Sequence, residues 1–364
     1  MVDLEIRRDR IIIRYKGKKW DWMLEPRYWR NTITWTCFLA VFPLISYFVS
    51  PILLTTVITA NLYAAIAIPL ALMTVGTGRL NFGPNFFIGV GGYTAAILSI
   101  AYGWGPLKTL PLAILFSLAS ALLFSPLVIL ARGLYYVLLT LLLPLVFLEV
   151  TFIYTDIFKG DVGIAGIRLL VDLGKVKVNF LAIAYISMVL MLLYLLVVNK
   201  ILKSRYGLIM ATINDDEEVA HGIGVNINKV KILAFIFPAA MIGIVGWFYA
   251  HYFATFAGIT YLPLTFMVKV LLVIFIGGRA QVFGCVAGGY FIAFLEMILI
   301  TTIGEIQPFI FPIILFILLF LFVTHEQPFK QVWFTFGFLR FLLILFYRFT
   351  CSFWFKLLFS TAFI

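Results

Sequence analysis

A helix that crosses about 30 Å of hydrocarbon needs about 20 apolar residues. Runs of about that length recur from residue 33 to residue 324 of this 364-residue chain. They fall at 33–50, 52–73, 86–103, 107–131, 134–154, 179–199, 231–253, 264–278, 280–301 and 308–324. In lipid each backbone N–H and C=O must find a partner within the protein, so single runs of this kind predict helices. The expectation is an all-α polytopic membrane protein with about ten transmembrane helices. A composition of 63% hydrophobic and 12% charged residues excludes an ordinary soluble domain.

Charge placement orients these spans. The net charge is +11, but nine of the 27 Lys and Arg precede the first apolar run, between Arg7 and Arg30. Basic residues beside a first span favour the cytoplasmic side, so residues 1–32 are expected there as a basic N-terminal segment. Nucleic acid is not an expected partner. Six spans return the chain to the same side at Lys200, which puts 200–230 in the cytoplasm and 155–178 outside. Cys37, Cys285 and Cys351 stand far apart in apolar surroundings, with neither disulfide nor zinc spacing. His221 and His251 are isolated, so no metal site is expected.

Asp215, Asp216, Glu217 and Glu218 form an unbroken acidic row in the 200–230 loop. At mid-bilayer each would cost about 2.5–3.5 kcal/mol, so the row belongs in water. Residues 211–222 predict one short helix there, with Asp215 as N-cap, Glu218 completing a capping box and Gly222 closing the C-terminus.

Other residues stand out by position. Asn81 and Asn85 flank Pro84, which interrupts helical hydrogen bonding as in discontinuous transporter helices. Gly89 and Gly92, and the Gly284/Gly288 pair, clear one helical face for close helix contact. Glu149 is the acidic residue expected deep in a span, facing a pathway or a packing partner. Lys269 is expected to snorkel and Arg279 to lie in a turn. Residues 326–364 form an aromatic–basic tail with Arg340, Arg348 and Lys356 eight residues apart, too short between charges to span.

The segment from Ser204-Arg205-Tyr206-Gly207 through Ala211 to Gly222-Ile223-Gly224 resembles the cytoplasmic loop of ABC importer permeases for branched-chain amino acids, the LivM type. Four further stretches match that family in order: Gly83, Phe87 and Gly91 to Thr94; Thr140 and Glu149 in the 135–150 span; GDVGIAGI at 160–167; and the Gly-rich 273–289 segment. The resemblance covers roughly residues 50–325. It implies a permease transmembrane domain over 33–325 in the cell membrane. It also implies that Arg205, Gly207, Ala211, Asp215, Asp216, Glu217, Glu218, Ala220 and Gly222 form a helix coupling the permease to an ATPase. A pathway or packing role is implied for Asn81, Asn85, Gly89, Gly92, Tyr93, Thr140, Glu149, Gly284 and Gly288.

The same resemblance implies the partners: two ATP-binding subunits, a second related permease and an extracytoplasmic solute-binding protein. No G-x-x-x-x-G-K-[ST] loop occurs, so ATP and Mg are expected on the partner chains, with no cofactor here. Leu208 and Asn214 depart from the family pattern by replacing basic residues, and Arg279-Ala280-Gln281 interrupts its Gly-rich turn. The alternative is a stand-alone secondary transporter or channel, which would need several charged groups near the midplane. An intramembrane enzyme lacks any motif in its favour.

Overall fold

The computed structural model describes residues 3–7, 10–15, 18–23, 41–131, 133–215, 217–222, 226–278 and 282–324. By its internal contacts the chain divides into two units. The first comprises residues 1–58 and 171–189. It holds a three-stranded antiparallel sheet of β1 (Asp3–Arg7), β2 (Arg10–Tyr15) and β3 (Lys18–Met23), which the helical expectation for this chain did not include. Helix α1 covers 41–49 in the same unit.

The second unit, residues 59–170 and 190–364, carries the sites described below. Its helices include most of α2 (Pro51–Thr77), then α3 (Pro84–Tyr102), α4 (Pro106–Leu130), α5 (Leu134–Ile153), the short α6 (Thr155–Phe158) and the end of α7 (Val176–Leu202). After α8 (Arg205–Asp215) and α9 (Glu217–Gly222) come α10 (Ile227–Phe253), α11 (Gly258–Tyr261), α12 (Leu264–Gly277), α13 (Val282–Ile303) and α14 (Gln307–Thr324).

Eight described helical segments are long and apolar enough to cross a bilayer. Of the remaining two expected spans, 308–324 coincides with α14, whereas 33–50 overlaps α1 and its first eight residues lie outside the described residues. Burial separates their surroundings. Alanines 60, 64, 65 and 67 of α2 are fully buried, and α10 is buried from Ala239 through Tyr252 at nearly every position. On α4 and α5, by contrast, Leu107, Leu122, Leu123, Leu130, Leu134 and Tyr135 are exposed, as apolar side chains facing lipid would be.

Close helix contacts explain the glycines. A Cβ on Gly91 would lie 2.0 Å from the Gly243 carbonyl oxygen, and one on Gly246 would lie 2.1 Å from that of Ile88. So α3 and α10 touch backbone to backbone, which only glycine permits. Pro106 starts α4 just after Gly103 ends α3 at φ 63°, so the pair is joined by a tight turn.

Strands β4 (Ile164–Ala165) and β5 (Thr255–Phe256) pair antiparallel, fastening the 161–170 loop beside the end of α10. His251 reinforces that join. Its Nδ1 donates to the Arg168 carbonyl at 2.6 Å, so Nε2 faces the Thr109 hydroxyl at 2.8 Å as an acceptor. Trp247 Nε1 donates to the same hydroxyl at 2.9 Å. His251 thus has a structural role with both ring nitrogens used.

Candidate functional site

The acidic row does not form one helix. Helix α8 begins at Arg205, six residues before the expected start, and ends at Asp215; α9 begins at Glu217. Asp215 therefore ends a helix instead of capping one, and Asp216 lies outside the described residues. The side chain of Glu218, and with it the expected capping box, also lies outside them, while Gly222 is the last residue of α9. The early start follows from Ser204, whose carbonyl accepts from the Leu208 amide at 3.2 Å in the first turn of α8.

Gly207 is needed for space. A Cβ there would lie 2.0 Å from the Leu202 carbonyl oxygen at the end of α7. Helix α8 then lays Met210 and Ile213 inward, both buried. Met210 Sδ sits 3.2 Å from where a Cβ on Gly76 would project, and Asn214 Cα lies 3.4 Å from the corresponding point on Gly78. The helix is thus seated on the end of α2. Its outward face carries Arg205, Leu208 and Ala211, all exposed, while Tyr206, in line with Met210 and Ile213 by spacing, is exposed in the first turn.

Glu217 is turned toward its own chain. Its Oε1 accepts from Lys231 Nζ at 2.5 Å and from Arg79 Nη2 at 3.1 Å. Arg79 also donates through Nη1 to the carbonyls of Val128 and Ala131 at the end of α4, and its guanidinium lies 5.9 Å from the Tyr136 ring centroid. One arginine therefore joins α9, the end of α4 and the start of α5. Partial burial alone would raise the Glu217 pKa, but the Lys231 hydrogen bond and the charges of Lys231 and Arg79 outweigh it and hold the carboxyl below its ordinary value. Ala220 is fully buried against this chain, which leaves it no surface for a partner. His221 is exposed.

Among the other sequence-selected residues, Asn81 accepts from the Gly83 amide at 2.7 Å and shapes the turn into α3. Asn85 donates to the Pro263 carbonyl at 3.2 Å, while its buried Oδ1 has no hydrogen-bond partner among the described residues. Thr140 accepts from the Phe82 amide at 3.1 Å, and Tyr93 accepts from the Gly258 amide at 2.7 Å. A Cβ on Gly89 would meet Phe147 and Leu262, and one on Gly92 the Phe256 ring. Gly284 and Gly288 face the α12 backbone at Gly277 and Val273. Arg279 and residues 326–364 lie outside the described residues.

Two readings of intramembrane charge need correction. Glu149 is exposed and stands four residues from the end of α5. The deep acidic residue is instead Glu296, well inside α13, which the sequence reading passed over. Nor does Lys269 snorkel: its Nζ donates to Glu296 Oε1 at 2.7 Å, and Tyr63 donates to Oε2 at 2.9 Å. An unpaired charge at this depth would cost about 2.5–3.5 kcal/mol, which explains the pairing across two helices. A lysine in one apolar run and a glutamate in the next was the available signal.

Eight long apolar helices among the described residues, with one short helical pair between the fifth and sixth, define a polytopic membrane protein. Residues 52–323 match the family model for the permease component of branched-chain amino acid transport systems, and the chain belongs to that family. It is 26% identical over 212 residues to the high-affinity branched-chain amino acid transport system permease protein LivM of Salmonella typhimurium, covering 52% of this chain and 50% of the relative. The LivM of Escherichia coli matches with the same values. A probable branched-chain amino acid transport permease protein LivH of Methanocaldococcus jannaschii is 23% identical over 253 residues, covering 67% of this chain and 78% of the relative. The chain spans about half the length of the LivM relatives it matches. No solved structure matches. The chain is a multi-pass protein of the cell membrane.

Proposed function

We propose that this chain is the membrane subunit of an ATP-driven importer that carries branched-chain or related amino acids into the cytoplasm. The observation that carries the reading is the α8–α9 pair. Its inner face is fixed by Met210, Ile213, Ala220 and the Glu217 ion pairs; its outer face leaves Leu208 69% exposed, and its first turn leaves Tyr206 61% exposed. A rigid knob with apolar tips on a loop between spans suits docking into a soluble motor subunit. Family membership and the names of the relatives support the solute class. ATP and Mg would then be bound by two partner ATPase chains, a second permease would complete the path, and a solute-binding protein would deliver the amino acid. The N-terminus and the α8–α9 pair would face the cytoplasm.

The test is uptake of labelled L-leucine into proteoliposomes containing the assembled complex with its binding protein. ATP inside the motor compartment should drive uptake, and excess unlabelled leucine should compete. Competition by a sugar alone would overturn the solute assignment. A second reading, a stand-alone carrier driven by an ion gradient, draws on the Lys269–Glu296 pair within the spans. Gradient-driven uptake by this chain alone, without ATP, would favour it.

A further inference from the structure

The Lys269–Glu296 pair has a feature that helix packing alone does not require. Both side chains keep some exposure, 17% and 19%, although they lie within spans. The partner Tyr63 sits at the middle of α2, twelve residues from Pro51 and fourteen from Thr77. Charge exposed at that depth is disfavoured against lipid, so water or a solute path beside the pair fits better.

Four aromatic residues cluster at the same place. Tyr63 and Tyr249 both pack against Phe266, with ring centroids 6.0 and 6.3 Å away, and Tyr261 lies 4.8 Å from Tyr249. The Tyr249 hydroxyl is buried and has no hydrogen-bond partner among the described residues, and its ring shares Phe266 with Tyr63, the residue that donates to Glu296. A buried hydroxyl without a partner is disfavoured unless something else satisfies it.

We propose that Lys269, Glu296 and the Tyr249 hydroxyl form a subsite for the charged ends of a zwitterionic amino acid in transit, an inference that rests on the transport reading above. An α-ammonium and an α-carboxylate are held on one carbon, so they match two opposite charges at contact distance. On entry the ammonium takes the place of Lys269 at Glu296 Oε1, and the carboxylate takes the freed Lys269. Charge remains balanced throughout, and Glu296 stays anchored at Oε2 by Tyr63. A singly charged solute would leave one member of the pair uncompensated.

Two variants of the full complex test this, with L-leucine as probe and thermal unfolding measured alongside uptake. Tyr249→Phe removes a hydroxyl that no described residue uses, so melting should hold while leucine uptake falls severalfold. The double variant Lys269→Glu with Glu296→Lys keeps an ion pair but reverses it; melting should stay near the parent value and uptake should remain low. If both variants transport like the parent, or the reversed pair restores uptake together with stability, the pair is a structural tie and the proposal is wrong. Loss of leucine uptake by the parent complex itself would instead refute the transport reading, so the two failures are distinct.

Discussion

Lys231 Nζ holds Glu217 Oε1 at 2.5 Å, joining the first turn of α10 to α9 across the 223–226 connection. Lys231 is nearly buried, whereas the Glu217 side chain is 40% exposed, so the acid reaches inward from a wet edge. Arg79 meets the same oxygen from the loop after α2. A short helix whose one described acidic contact points into its own protein can pass motion to α4 and α10 without slack.

The first prediction concerns pH. Glu217 is held below its ordinary carboxylate pKa, so the folded state binds its proton less readily than the unfolded chain. Its contribution should be full above the ordinary carboxylate range and should fade as pH drops through the lowered value. Solvent screening at a partly exposed group keeps that contribution small. Glu217→Gln should therefore cost no more than about 1 kcal/mol and flatten the acid limb of a stability-versus-pH curve. An unchanged acid limb would show that the triad contributes nothing.

The second prediction concerns the contact of α7 with α8. Gly207→Ala places a methyl group where the Leu202 carbonyl oxygen already stands. Overpacking of this kind costs about 1–3 kcal/mol, and the least resisted relief is a tilt of α8 away from α7. The purified variant should keep its helical circular dichroism but show reduced ATP-driven leucine uptake per complex. Parent-like uptake would mean that the α7–α8 contact yields without consequence.

Much of this architecture was legible because span length is fixed by bilayer thickness, so apolar runs alone locate α2 through α5, α7, α10 and α13. Of the helix pair at 205–222, only 211–222 was legible as helical, and as one helix. Gly207 reads in sequence as a breaker, and only the approach to Leu202 shows that it permits packing. Burial of Ala220 was equally hidden, because a small residue fits a partner's groove and its own core alike. The Lys269–Glu296 pair joins residues 27 positions apart on two helices, a relationship no local periodicity encodes. In the β1–β3 sheet basic charges flank short apolar runs and mask them; the run Ile11-Ile12-Ile13 in β2 carries the strand signal.

Orientation yields the third prediction. In a cysteine-free background, single cysteines at Asp172 and Leu208 would be probed with an impermeant thiol reagent on intact cells. Both positions are exposed, so access depends on the side of the membrane. Asp172 should label from outside and Leu208 only after permeabilisation. External labelling of Leu208 would reverse the assigned topology.

The final prediction separates the docking face of α8 from its seat. Tyr206 and Leu208 are exposed on a helix whose inward positions, Met210 and Ile213, are already filled by the chain itself. Exposed aromatic and aliphatic tips of this kind supply most of the binding energy when they enter a pocket, and truncating such an anchor costs about 2 kcal/mol or more. Leu208→Ser and Tyr206→Ser should therefore leave melting close to the parent while co-purification of the ATPase falls by an order of magnitude or more. Ala220→Leu should do the reverse, because its side chain must be forced into a fully buried position within this chain. Its melting temperature should drop, with any loss of ATPase binding following from that. Arg205 lies on the exposed face, so Arg205→Glu should weaken the complex most at low salt, where exposed charges are least screened. The measurement is co-purification at two salt concentrations with a melting curve for each variant. Full ATPase recovery with Leu208→Ser and Tyr206→Ser combined would show that the motor does not dock on this face.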